Sequence, residues 1–447
     1  MAIPLDTASG TASETASETA SGTVSGTAPD AAPDWSRNWA GNVTFGAARW
    51  HRPQSIDELR RLVAHSDRIR AVGSGHSFST VADTRGDLVR LDGLPPVIDL
   101  DPVARTVTVS AGLRYADVVF DLQRAGFALA NLASLPHISI AGSVATGTHG
   151  SGDAQRCLAA SVRALQLVGP EGDLTELGRD TDPDDFPGAV VALGALGIVT
   201  RLTLDIEPSY EMAQRVRVDV PLDEIAADFD AVSGAAYSVS VFTDWGGPDA
   251  QVWLKRRTGR GDSGWNGGRA AEQPLNPVPG MPPEFSTRQL DEPGPWCERL
   301  PHFRPELTPG AGEELQSEYY LPRAAAPAAI AALRGLGERL APALHIAEVR
   351  TVRADDLWLS PAYGTDSVTF HFTWVKDLDR VRPLIAAVED ALLPLGARPH
   401  WGKLTALTPP ELAARHERAA DFGRLTRKYD PSGTFRNAFT DALLGTD

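Results

Sequence analysis

I-R-A-V-G-S-G-H-S-F-S-T, residues 69–80, is the stretch on which the reading of this chain turns. The apolar run 69–72 predicts a short strand, and Gly73-Ser74-Gly75 then leaves the backbone bare enough for a phosphate to lie against its N–H groups. His76 stands among small residues just beyond. A dinucleotide-binding G-x-G-x-x-G turn is not supported, because Phe78 fills the third glycine position. His76 is either beside a bound nucleotide or an ordinary loop residue, and this stretch alone leaves both open.

Working outward, Ser55 and Glu58 form a capping box ahead of Leu59, Leu62 and Val63 at helical spacing, which predicts a helix over 55–67 feeding the strand. Downstream, the runs 88–94, 97–100 and 106–109, with Pro102 at a turn, predict strands and a hairpin. Residues 115–124 predict an amphipathic helix closed by Gly126. Residues 161–168 and 174–177 predict a second hairpin, and L-G-A-L-G-I-V-T, 193–200, joins a helix to a strand. Helices alternating with hairpins indicate α+β layers, not a purely parallel sheet.

A second glycine-rich stretch, S-L-P-H-I-S-I-A-G-S-V-A-T-G-T-H-G-S-G, spans 134–152. Bare backbone and hydroxyls at this density suit a long cofactor laid along the chain. A flexible linker is the alternative, but Ile138, Ile140 and Val144 interrupt it as linkers rarely are.

A formal net charge of −16 argues against nucleic acid or an anionic membrane as the main partner. Cys157 and Cys297 are far apart and outside any metal-ligand spacing, so neither a disulfide framework nor a metal site is indicated, and a cytoplasmic setting fits. The most apolar run, 188–199, is shorter than the roughly 20 residues a bilayer requires. Residues 1–34 repeat T-A-S-G and T-A-S-E units and predict a disordered tail.

From about 209 to 404 the pattern changes to alternating strands. Val216, Val218 and Val220, then 238–243 and 251–255, read as strands, with helices over 222–232 and, despite Pro327, over 324–340. Between them, 259–309 reads as an irregular surface insertion or lid. Three later segments place polar side chains on one face: Glu348 and Arg350 in H-I-A-E-V-R-T-V, His371 and Thr373 in V-T-F-H-F-T-W, and Lys403, with Trp401, in H-W-G-K-L. If these strands are neighbours, an acid, two bases, a hydroxyl and a histidine meet on one floor. A solvated sheet face with cross-strand ion pairs is the plainer reading of any one of them.

Taken together, G-S-G-H-S after a strand, S-x-x-P-H-I-S-I-A-G-S-V-A-T-G-T-H-G and L-G-x-L-G-I-V-T resemble the FAD-binding domain of the vanillyl-alcohol-oxidase flavoproteins. The chain beyond the tail resembles the alditol oxidases, with a substrate domain of the sugar-lactone-oxidase type. The resemblance implies a two-domain fold: an FAD domain over 35–208, a separate antiparallel-sheet substrate domain over 209–404, and a segment 405–447, helical through about 428, that returns to the FAD domain. It implies FAD bound covalently through His76. Val72, Gly73, Ser74, Gly75, Ser77 and Phe78 would form one grip on it. Ser139, Gly142, Ser143, Thr146, Gly147, Thr148 and His149 would form the other, with Ile198 and His400 also at the cofactor.

The resemblance assigns Ser134, Glu348, Arg350, Thr373 and Lys403 to a polyol pocket, with Lys403, Arg350, Glu348 and His371 as the catalytic group. The implied reaction takes hydride from a terminal C–OH of an alditol such as xylitol or sorbitol and uses O2, giving an aldose and H2O2. Ala133 lies where the family controls oxygen access. An aldonolactone oxidase or dehydrogenase is the close alternative, and a non-catalytic sugar-binding protein the distant one.

Overall fold

The computed structural model describes residues 32–260, 264–306 and 312–445, so the expectation for the tail falls almost wholly outside them. Ser55 Oγ accepts from the Glu58 N–H, and the helix Ile56–Ala64 buries Leu59 and Val63 completely. The strand Ile69–Ala71 that follows is an edge of a three-stranded parallel sheet, beside Asp87–Val89 and then Arg49–His51. Of the run 88–94, only its first residues pair. A five-stranded antiparallel sheet packs nearby in the order Ile98–Asp101, Thr106–Ser110, Ile198–Asp205, Val162–Val168, Leu174–Gly178. The helix Tyr115–Arg124 is closed by Gly126 at φ +81°, a left-handed position that favours glycine.

The second glycine-rich stretch is not wholly loop. Ile140 and Val144, one turn apart and both buried, nucleate the helix Ile140–Ala145 against the core.

The second unit is a nine-stranded sheet with antiparallel pairing. Its central strands run in the order Ser238–Thr243, Leu344–Val352, Ser367–Val375, Glu314–Pro322. Helices cover one face: Ile225, Ile330 and Val388 pack there against Val349, Phe370, Phe372 and Trp374. The opposite face of the same strands, displaced by one residue, carries the polar side chains toward the first unit. The helix expected over 222–232 is two, Leu222–Ala227 and Phe229–Ser233, because Asp228 leaves helical geometry at φ −129°. The alanine-rich helix also divides, into Ala326–Arg334 and Gly337–Leu340, with Pro327 in the first turn, where a missing N–H breaks no bond.

Beyond Lys403 the chain forms three short helices where one was expected: Pro409–Ala413, Ala419–Tyr429 and Ala438–Leu444. They pack on the first unit. Leu412, Phe422, Leu425 and Leu443 join its core, and the Thr434 carbonyl accepts from Ile69 N–H at 2.9 Å. The buried Arg70 guanidinium donates to the carbonyls of Gly194 and Phe435, each at 2.8 Å, fixing the glycine strand to both segments. The insertion is more than a surface lid. Trp296 and Cys297 are fully buried, and its residues Asn276, Val278, Met281, Phe285 and His302 help wall a cavity. Among the described residues no helix is long and apolar enough to cross a membrane, and no cluster of His, Cys, Asp or Glu is arranged to hold a metal ion.

Candidate active site

Between the two units lies a cavity of about 950 Å³, near the upper end of the ~300–1,000 Å³ usual for small-molecule sites. Val72, Gly73, Ser74, Gly75, His76 and Ser77 line one wall. Ser139, Gly142, Ser143, Thr146, Thr148 and His149 line it as well, as do Ile198 and His400. The two glycine stretches are lashed together: Ser74 N–H donates to Ser139 Oγ at 3.3 Å, and Ser139 N–H to Ser74 Oγ at 3.1 Å. Gly75 sits at φ +70°. Gly73 is required for a different reason, since a Cβ there would fall 2.0 Å from Ser139 Oγ and 2.9 Å from its Cβ. We expect Gly73→Ala to force the loops apart at a cost of about 1–3 kcal/mol. Its melting temperature should drop against the unaltered chain, and an unchanged one would show that the loops are not in register contact.

Two residues of the expected cofactor set stay out of the cavity. Phe78 turns into the core of the second unit, under Lys403 Nζ at 5.2 Å from its ring. Gly147, at φ +70°, offers its carbonyl to Tyr320 Oη at 3.2 Å. Both shape the wall from behind it.

His76 is half-buried, stacks on Trp39 at 4.7 Å and 20°, and leaves both ring nitrogens shut from water with no hydrogen-bond partner among the described residues. Burial, reinforced by the Lys403 charge, pushes its pKa down to about 4, so the ring is neutral near pH 7. An unpaired buried nitrogen is costly unless something bonds to it.

Opposite stands the polar floor, and strand register explains it. Phe242, Glu348, His371 and Glu318 are successive partners across four strands. Ile346, Thr373 and Gln316 form the adjacent row. Arg350 Nη2 donates to Glu318 Oε1 at 2.6 Å, and its Nε lies 3.5 Å from Glu348 Oε2. His149, from the first unit, reaches the same Glu318 oxygen at 2.9 Å. Although burial opposes charge in each, Arg350 and His302 hold Glu348, and His149 and Arg350 hold Glu318, below the ordinary carboxylate range. Burial likewise opposes charge on Arg350, but Glu348 and Glu318 hold its pKa above the usual value. His371, bonded to Gln316 Oε1 at 3.1 Å, is pushed down to about 3 by burial.

Lys403 reaches this floor from a turn and not from a strand. The strand Arg398–Pro399 ends before it, and Lys403 N–H donates back to the His400 carbonyl at 3.0 Å. Trp401 therefore does not share its face: the indole is buried in the first unit's core and donates to the Leu359 carbonyl at 2.7 Å. Lys403 Nζ donates to Gln316 Oε1, and burial lowers its pKa from the ordinary lysine value. Ser134 lines the cavity where the units meet, its carbonyl accepting from the N–H groups of His302 and Phe303. Sequence reasoning missed Gln316, Glu318, His302 and Trp39. Gln316 and Glu318 alternate in E-L-Q-S-E-Y-Y-L-P, the same period-two signal read in the neighbouring strands; His302 and Trp39 carry no local signal.

A glycine cradle in which a Cβ does not fit, hydroxyls along it and an orphaned histidine nitrogen are what a bound flavin dinucleotide would use. Residues 48–178 match the family model described as FAD binding domain, and residues 313–443 that described as D-arabinono-1,4-lactone oxidase. The chain is 50% identical over 408 residues to an alditol oxidase of Streptomyces sp., covering 90% of this chain and 97% of that one. It is 28% identical over 418 residues to an L-gulono-1,4-lactone dehydrogenase of Mycobacterium tuberculosis, covering 88% of this chain and 95% of that one. Its fold is similar to that of cholesterol oxidase from B. sterolicum, with a TM-score of 0.72 at 14% identity over 94% of this chain and 99% of that one. That likeness shows the two-unit fold, and the sequence comparisons go further: the chain belongs to the alditol oxidase family of FAD-dependent oxidoreductases.

Proposed function

We propose that this protein oxidises the terminal C–OH of an alditol such as xylitol or sorbitol, using O2 and releasing an aldose and H2O2. The observation that carries the reading is the buried floor on which Glu318, Glu348, Arg350, His371, Thr373 and Gln316 face the His76 wall. A polyol is a row of hydroxyls, each both donor and acceptor, and a buried floor of alternating donors and acceptors rejects molecules that leave its groups unpaired. The 72–77 and 139–149 segments would hold FAD, with His76 as its covalent link, and the cofactor so bound would supply a hydride acceptor that O2 can reoxidise.

The chain's own residues divide the proton work. Arg350 is held in its charged form by two carboxylates, so it binds and stabilises a developing alkoxide but takes no proton. His371 is neutral but a weak base at about 3. Lys403, with its pKa lowered by burial, is the group suited to accept the hydroxyl proton. Glu348 orients Arg350 and a substrate hydroxyl, while Ser134 and Thr373 hold further hydroxyls. The FAD domain takes in 35–208 and the returning segment 405–447, with the substrate domain at 209–404. Two free, buried cysteines accord with a reducing cytoplasm.

Peroxide release tests the reading. We expect it with xylitol and not with L-gulono-1,4-lactone; the reverse pattern would reject the alditol assignment in favour of a lactone oxidase.

A further inference from the structure

His302, at the end of the insertion, is the insertion's link to the charged floor, and its ring is fixed from several directions. Phe242 and Trp253 meet it edge-on at 5.2 and 5.6 Å. Its N–H and that of Phe303 donate to the Ser134 carbonyl at 3.1 and 3.2 Å. The turn before it hangs on Lys255, a side chain 1% exposed, whose Nζ donates to the carbonyls of Arg299, Leu300 and Pro301 at 2.9, 2.7 and 2.6 Å. Three carbonyls match the three N–H bonds of an ammonium. So held, His302 Nε2 lies 2.9 Å from Glu348 Oε1, with Ser240 Oγ at 3.2 Å. An ionised carboxylate only accepts, so Nε2 carries the proton. Nδ1 is buried and has no partner among the described residues, and nothing described there favours a second proton.

We propose that His302 is a positioning residue for Glu348: a neutral imidazole, clamped by the Lys255 turn, donates one hydrogen bond that keeps Glu348 ionised and links it to Ser134. The role rests on the polyol reading of the cavity, in which Glu348 orients Arg350 and a substrate hydroxyl. Glu348 is also faced by Arg350 on its own strand, by His371 and Glu318 across the sheet, by Lys403 from its turn and by Lys255 from the neighbouring sheet segment. Those groups stay when His302 is replaced, so a change isolates the single N–H. Burial would then raise the Glu348 carboxyl with less to oppose it.

The experiment compares His302→Leu with His302→Gln in the FAD-loaded enzyme. The leucine variant should lose about 10–100-fold in kcat/KM for xylitol, and the acid limb of its melting temperature, along which stability falls as Glu348 takes a proton, should move up by about one pH unit. The glutamine variant, whose amide supplies an N–H at the Nε2 position, should recover to within about threefold with the limb restored. His302→Asn, too short to reach Glu348, replaces the leucine variant if that one does not fold. A cycle with Glu348→Gln, read by melting without substrate, should show the leucine variant's loss at least halved in the Glu348→Gln background. An unmoved acid limb, a glutamine variant as poor as the leucine one, or melting losses that simply add would overturn the proposal. Failure of the unaltered enzyme on xylitol would instead overturn the alditol reading, and the melting cycle would still decide the role of His302.

Discussion

Denatured in SDS and run on a gel, the unaltered chain should give a band that fluoresces as flavin, and His76→Ala should give a dark one. The expectation follows from the state of the imidazole. Both its nitrogens are shut from water and neither finds a hydrogen-bond partner among the described residues, although the ring borders the cavity and is held flat against Trp39. In a protein without a bound group, two such orphaned atoms would cost roughly 1–3 kcal/mol each. A bond from one nitrogen to the flavin would remove the cost at that atom and would use the neutral form that burial and Lys403 enforce. FAD should remain on the native variant through the 72–77 and 139–149 segments, and acid precipitation should release it to the supernatant. A dark band from the unaltered chain would refute the covalent bond while leaving FAD binding intact.

The second large effect is expected at Lys403. Replacing it with methionine keeps the buried stem but removes the amine, and kcat should fall by about 10²–10⁴-fold. Lys403→Arg should not restore it, because a guanidinium cannot give up its proton to become a base. The sign of the pH dependence follows from the lowered pKa. Only the deprotonated amine accepts a proton, so kcat should rise with pH through a limb that lies below the ordinary lysine value, and this limb should be absent in both variants. An arginine variant that keeps half the activity would sink the base assignment and make Lys403 a fixed charge stabilising the alkoxide. Gln316, which binds both Lys403 and His371, is expected to orient the amine without titrating.

Much of the floor was legible because its signal is local. Glu348 with Arg350, and His371 with Thr373, are two apart in strands, and period-two projection puts each pair on one face whatever the strands pair with. The same rule applied to Gln316 and Glu318 would have recovered the carboxylate that joins Arg350 to His149. It misled at Lys403, because the chain turns there, with the Lys403 N–H reaching back to the His400 carbonyl, although the alternation of H-W-G-K-L resembles a strand. It was silent on His302, whose position depends on a buried lysine far away in sequence.

By itself, then, the sequence determined the cradle: bare glycines, hydroxyls at close spacing and a histidine after a short strand are properties of a few consecutive residues, set by backbone sterics and capping. Gly75, at φ +70°, carries its reason in its own backbone, whereas Gly73 owes its to Ser139 on the other loop. Only the tertiary structure decided what stands across from the cradle. Which strand lies beside which, that Glu318 closes a row with His371 and Glu348, and that the insertion brings His302 to Glu348 all depend on pairings between segments distant in the chain. Those pairings are chosen by burial of Phe370, Phe372 and Trp374 on the sheet's other face, a free energy summed over the whole core that no single stretch displays.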